Sequence, residues 1–269
     1  MKITCCLITT NCPTRFNILE KNIDNILSNK NDLIDEYIIG VDCFPHINTD
    51  IGFFNNLKNK GWKIYIWGSN VGLALNQHLC INKASNDFIF YIEDKVLINK
   101  IPKLNTIIEL HKATNFSFIF YNCHLNNIYT NDVKNHILNT NNYVKINDSL
   151  FLKRDNNILD NFKILFPVAI FEKSVYNNIY NISKNTNNKK CIELSLSDGF
   201  MKSEFYNRPT FLYISEKILD NLKEINNFTI TNTGNNMDTH PIHSFANMRY
   251  YSNGYKISSL NNNYINKCL

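Results

Sequence analysis

Strand-like and helix-like stretches alternate regularly through the first hundred residues, and this alternation limits the fold more tightly than any other feature. Ile3–Thr10 is a run of apolar and β-branched residues that reads as a strand. After Pro13-Thr14, the apolar positions Phe16, Leu19, Ile23, Ile26 and Leu27 recur at helical spacing, with Thr14 as the expected N-cap. "EYIIGVD" (36–42) is a second strand closing on Asp42, and Phe53, Phe54 and Leu57 mark a short helix ended by Gly61. "WKIYIW" (62–67) is a third strand. A helix over "SNVGLALNQHLCINKAS" follows, capped near Ser69 or Asn70, with Leu75/Leu79 and Cys80/Ala84 stacked on one face. "DFIFYIE" is the fourth strand.

Strands that are apolar on both faces and separated by helices predict a mostly parallel sheet covered on two sides. In such α/β sheets ligands bind outside the carboxyl ends of the strands. Those ends carry Thr9-Thr10-Asn11, Asp42, Trp67-Gly68-Ser69-Asn70 and Glu93-Asp94-Lys95.

Beyond residue 100 the pattern loosens. A helix over about 103–113 and a strand at 116–122 precede an Asn-rich stretch, 126–148, that reads as loop. "FLKR", the apolar run 162–171 and a helix near 172–183 come next. Residues 191–215 read as a helix that breaks at Pro209 into a strand. From about 229 the chain is irregular. No internal repeat and no linker interrupts it, so a single continuous domain is expected.

Composition removes several function classes. Lys and Arg exceed Asp and Glu by 28 to 23 with no dense basic tract, which argues against a nucleic-acid partner. Cysteines at 5, 6, 12, 43, 80, 123, 191 and 268 include no C-x-x-C pair, so neither a zinc site nor a disulfide scaffold is indicated and reduced thiols are expected. The opening apolar run is short, β-branched and followed by no small-residue cleavage site, so it reads as a strand rather than a signal peptide. No stretch approaches the ~18 consecutive apolar residues of a membrane span, and a cytoplasmic location is expected.

The first hundred residues resemble the N-terminal half of GT-A-fold glycosyltransferases of the family-2 type. The likeness is carried by "ITCCLITTNCPTRF", "DEYIIGVDC" and, most specifically, by Asn70-x-Gly72, Asn76, Ala84, Asp87, Phe88, Ile89 and Tyr91-Ile92-Glu93-Asp94. The resemblance implies a Rossmann-like GT-A sheet with residues 1–98 as the nucleotide-sugar half, 99–228 as the acceptor half and 229–269 as a tail. It further implies a UDP- or GDP-linked sugar donor lying across the strand ends. Thr9, Thr10 and Asn11 would line the nucleoside pocket, Asp42 would accept from base or ribose, and Glu93 would hold the ribose and diphosphate side. Arg15, Asn70, Gly72, Asn76, Asp94 and Lys95 complete the implied donor site. An ionised acid suits this task because it accepts two directional bonds strengthened by its charge. The other reading of Asp42 is a turn cap, a common use of a single acid at a strand end.

Two positions depart from the family. The third residue of its acidic motif is usually an aspartate that binds a divalent metal, manganese or magnesium; here it is Lys95. Either Lys95 itself supplies the positive charge, making transfer metal-independent, or Asp94 takes the metal, or Lys95 is a solvated partner of its neighbouring acids. The family's late metal-binding histidine falls in "ITNTGNN" (230–236), where Asn232 stands instead, leaving His240 and His243 as substitutes.

Inverting sugar transfer needs a carboxylate that takes the proton of the attacking acceptor hydroxyl. By resemblance that base is Asp198 in "SDGF", with Glu193 and Glu204 as alternatives. For each, an exposed helix face or a first-turn acid is the competing reading. The acceptor is a glycan, a lipid-linked sugar or a protein. Two rival functions remain: a non-catalytic nucleotide- or sugar-binding relative whose metal motif has decayed, and a sugar nucleotidyltransferase. The second lacks the expected glycine-rich phosphate loop in "TTNCPTR".

Overall fold

The computed structural model describes residues 1–94, 96–98, 101, 103–121, 143–147, 149–153, 168–185, 199–215 and 230–232. Its first half runs β1 (Ile3–Thr10), α1 (Phe16–Ser28), β2 (Ile34–Asp42), α2 (Ile51–Asn59), β3 (Lys63–Ile66), α3 (Leu73–Lys83) and β4 (Phe88–Glu93). The elements that follow are β5 (Val96–Ile98), α4 (Leu104–Thr114), β6 (Phe118–Tyr121), β7 (Tyr143–Ile146), β8 (Ser149–Lys153), β9 (Val168–Glu172), α5 (Lys173–Asn185), β10 (Thr210–Ser215) and β11 (Ile230–Asn232).

Nine of the described strands form one sheet in the order β3-β2-β1-β4-β9-β6-β10-β8-β7. β1 pairs parallel with β2 and β4, and β2 with β3. β9 runs antiparallel between β4 and β6, β10 is parallel to β6, and β8 and β7 each reverse direction again. Followed pair by pair, seven strands point one way and only β9 and β8 the other, so the mostly parallel sheet expected from the sequence is present.

The alternation of side chains across β1 and β4 explains why both strands are apolar throughout. Ile3, Cys5, Leu7, Phe88, Phe90 and Ile92 enter one core with Leu19, Ile23 and Ile26 of α1, Phe54 of α2 and Ile107 of α4. Cys6, Ile8, Ile89 and Tyr91 enter the other with Cys80 and Ile81 of α3 and Tyr176 and Ile179 of α5. Both faces of the sheet are therefore covered by helices, which is the arrangement a buried parallel sheet requires.

Several local expectations are corrected. Thr14 does not cap α1; Pro13–Arg15 forms a 3-10 turn that leads into the helix, and Arg15 occupies the cap position without a side-chain capping bond. The capping side chain of this half is Asp50, which accepts from the Phe53 N–H at 2.9 Å and starts α2. α3 begins at Leu73 rather than near Ser69 or Asn70, because Val71 and Gly72 are held outside the helix by Asp42. Its buried face is Asn76, Gln77, Cys80 and Ile81, whereas Leu75 is exposed. The polar stretch read as loop contains β7, an alternating strand whose Val144 and Ile146 pack on the core and which turns into β8 through Asn147 at φ 54°. The irregular tail contributes β11, paired antiparallel with β5 in the register Ile230↔Ile98, Thr231↔Leu97 and Asn232↔Val96.

No described helix is long and apolar enough to cross a membrane. The described cysteines, Cys5, Cys6, Cys12, Cys43 and Cys80, are all buried and unpaired by disulfides. Burial pushes the Cys6 thiol well above its ordinary range, and Cys80 beside it acts in the same direction.

Candidate active site at the carboxyl edge of the sheet

The strand register brings the sequence-selected residues of β1, β2 and β4 together. Thr10 lies opposite Asp42 and Ile8 opposite Glu93, so the three strands end at one level. The Asp94 N–H then donates to the Ile8 carbonyl at 3.1 Å, carrying the chain one residue past β4 along the edge of β1. This bond turns the Asp94 carboxylate over the end of β1. Thr9 Oγ1 donates to Asp94 Oδ2 at 2.6 Å, and Arg15 Nη1 lies 4.0 Å from Asp94 Oδ1. The Arg15 side chain is only 7% exposed, so the ion pair is formed in surroundings that screen it weakly.

Asp42 has a different task. Its two carboxylate oxygens accept from the backbone N–H groups of Val71 and Gly72 at 2.7 and 3.0 Å. Gly72 has φ 85°, a left-handed conformation that a side chain disfavours, so Asp42 and a glycine together make the turn into α3. Charge-assisted bonds of this kind contribute about 1.5–3 kcal/mol each. Asp42 thus fixes the wall formed by residues 70–72, as the turn-cap reading foresees.

Asn76 and Asn11 lock the same edge. Asn76 Nδ2 donates to the carbonyls of Thr9 and Gly40 at 3.1 and 3.3 Å, while its Oδ1 accepts from Trp67 Nε1 at 2.6 Å. One buried amide therefore ties β1, β2 and the end of β3 to α3. Such contact needs Gly40: a Cβ there would come within 2.6 Å of Asn76 Oδ1 and 2.9 Å of Cys80 Cβ. Asn11, 1% exposed, donates to the carbonyls of Phe44 and Ile47 and accepts from the Phe44 N–H, stapling the loop after β2. Its amide is spent on the protein itself. Thr10 Oγ1 accepts from Cys12 N–H at 3.4 Å and Asn70 is half-buried beside the turn.

Glu93 is buried at the same edge, with the Tyr91 hydroxyl 3.4 Å from its Oε1. Burial, and then the charge of Glu93, push the Tyr91 phenol well above its ordinary range, so it stays protonated and donates. Glu36, the one acid buried at the opposite edge among the described residues, belongs to a structural network. Burial alone would raise its pKa, but bonds from Lys63 Nζ, Thr4 Oγ1 and both the N–H and hydroxyl of Ser85 outweigh it and hold the carboxyl down at about 2.

Asp94 faces a hydroxyl donor and a guanidinium, which is the environment of an ion-pair partner, and no group of three His, Cys, Asp or Glu side chains converges among the described residues. The register nevertheless places Asn232 beside Val96, two residues beyond Asp94, where the resemblance expects a histidine.

Of the three candidate bases, Asp198 and Glu193 lie outside the described residues, as do Lys95, His240 and His243. Glu204 is exposed in the 3-10 turn Glu204–Asn207, close to the N-terminal end of β10. The Phe205 carbonyl next to it accepts from Ser117 Oγ at the start of β6, so Glu204 stands toward the opposite edge from Glu93. Gly199 lies beside Ile179 and Ser183 of α5, and Phe200 packs edge-on against Phe118 at the start of β6.

The sequence reading named Trp67 and Tyr91 without their partners Asn76 and Glu93, and it missed Asn22 and Asn25 of α1. Asn22 carried a legible sign: it falls on the Leu19, Ile23, Ile26 face, where a polar side chain needs a partner.

No family profile matches the sequence, and comparison with curated proteins returns no match. Comparison of folds does. Residues 1–349 of S. aureus TarS in complex with UDP superpose with a TM-score of 0.52 at 13% identity, covering 80% of this chain and 58% of that one. The structure of S. aureus TarS gives 0.51 at 12% identity, covering 99% of this chain and 48% of that one. The chain thus spans about half the length of these structures. Its fold is the GT-A fold.

Proposed function

We propose that this chain is a glycosyltransferase that takes a sugar from a UDP- or GDP-linked donor and passes it, with inversion, to an acceptor hydroxyl. The observation that carries the reading is the meeting of Thr9, Arg15, Asp42, Glu93 and Asp94 at one sheet edge. The GT-A fold, and the UDP held by the similar TarS structure, support it.

In this reading the nucleoside lies against Thr10, Asn11 and the wall 70–72 built by Asp42, Gly72 and Asn76. Glu93 accepts from ribose or sugar hydroxyls. Arg15, held against Asp94, faces the diphosphate, and with Lys95 it offsets the negative charge that grows on the leaving nucleoside diphosphate. Transfer then proceeds without a metal. Asp198 takes the acceptor proton as the acceptor oxygen bonds to the anomeric carbon and the bond from that carbon to the diphosphate oxygen breaks. The acceptor is a glycan, a lipid-linked sugar or a protein, and the protein is a cytoplasmic one.

A second reading, a nucleotide-sugar-binding protein without transfer, draws on the closed Thr9–Asp94–Arg15 cluster and on Asn232. Turnover of UDP- and GDP-sugars by wild type and Asp198→Asn separates the two. Hydrolysis or transfer that Asp198→Asn abolishes, with nucleotide affinity intact, is expected for the enzyme; binding with no turnover by the wild type supports the binding protein.

A further inference from the structure

The strand that leaves the acidic turn is held by a helix. β5 belongs to no part of the nine-stranded sheet; β11 pairs with it on one side. From α1, Asn22 Oδ1 accepts from the Ile98 N–H at 2.7 Å, and Asn25 Nδ2 donates to the Ile98 carbonyl at 2.9 Å. Two side-chain amides, one helical turn apart, therefore bind the same residue's backbone donor and acceptor as a neighbouring strand would. Asn22 is fully buried in the α1 face that packs on the core, and Ile98 is equally buried. An asparagine at such a core position costs stability unless its bonds are made, so the pair is built for this contact.

Ile98 lies four residues beyond Asp94, and the Asp94 N–H is tied to β1 through the Ile8 carbonyl. The turn that carries the acids is thus pinned at both ends, by β1 before it and by α1 after it. α1 itself starts at the 3-10 turn bearing Arg15, the ionic partner of Asp94. One rigid helix holds both the cation of the cluster and the exit of the acidic turn.

We propose that Asn22 and Asn25 are positioning residues: by clamping Ile98 to α1 they set the distance of Glu93 and Asp94 from Arg15 and hence the affinity of the edge for a nucleoside diphosphate. The proposal rests on the glycosyltransferase reading of that edge. It is a role separate from contact with the donor, since both side chains face Ile98.

The test titrates UDP and GDP by calorimetry into the full-length wild type, Asn22→Ala, Asn25→Ala and Asn25→Asp, and follows amide exchange over residues 93–98. Loss of one clamp bond is expected to weaken nucleotide binding roughly ten-fold and to speed exchange locally, with circular dichroism unchanged. Asn25→Asp preserves shape but sets a carboxylate against the Ile98 carbonyl, so it is expected to bind no better than Asn25→Ala. Asn25 is half-buried, so its variants carry the test if Asn22→Ala does not fold. Alanine variants that bind like the wild type, or exchange that rises evenly along the chain with a lowered melting temperature, overturn the clamp while leaving the reading of the site. A wild type that binds neither nucleotide overturns the reading, and the clamp's role with it.

Discussion

The hydroxyl of Thr9 donates to Asp94 at 2.6 Å across the end of the β1–β4 pair, joining two residues 85 positions apart in the chain. This bond decides how the acidic turn is presented. One oxygen of Asp94 is taken by Thr9 and the other lies toward Arg15, so the carboxylate steadies the cation that the proposed mechanism turns to the diphosphate.

Thr9→Val removes the hydroxyl and keeps the shape. A bond to a charged group is worth about 1.5–3 kcal/mol, so nucleotide affinity is expected to fall ten-fold or more. Calorimetric titration of UDP and GDP checks it; an unchanged affinity removes Thr9 from the site.

Gly40→Ala tests how closely α3 approaches the sheet. The added Cβ meets Asn76 Oδ1 and Cys80 Cβ inside ordinary contact distance. Overpacking of this kind costs about 1–3 kcal/mol, which urea unfolding measures. Because Asn76 also holds the Thr9 carbonyl, the variant is expected to bind nucleotide more weakly at temperatures where it is fully folded.

Glu36 predicts an acid-sensitive stability. Its folded pKa, about 2, lies below the ordinary 4.5, so its contribution is complete above pH 4.5 and is lost as the pH falls toward 2. Its partner Lys63 is mostly solvent-exposed, which limits the loss to about 2 kcal/mol. Urea unfolding at pH 5 and pH 2.5 is expected to show a smaller pH-dependent loss for Glu36→Gln than for the wild type.

The layered fold was legible because β1 and β4 are buried on both faces and β2 over its second half, which writes the parallel sheet into the sequence as apolar runs. The edge acids were legible for the same reason: each run stops on a polar residue. What escaped has physical causes. The phase of α3 follows from Asn76, whose three polar contacts override the Leu75/Leu79 stripe. β7 was hidden because a strand on the rim of a sheet buries only alternate residues and tolerates asparagine around it. β5 and β11 were invisible since three-residue strands carry no periodicity, and only their register brings Asn232 to the acidic turn. The place of Glu204 was not legible because order in sequence does not tell which end of the sheet a turn before a strand will occupy.

In the proposed function the carboxyl edge binds a nucleoside diphosphate through this chain's own charges. Calorimetric titration of UDP and GDP into wild type and Asp94→Ala, each in excess chelator, tests it most directly. Saturable binding of one of the two nucleotides by the wild type without added metal is expected, and binding weakened at least ten-fold by Asp94→Ala. No heat of binding with either nucleotide, or binding that appears only when manganese is restored, contradicts it.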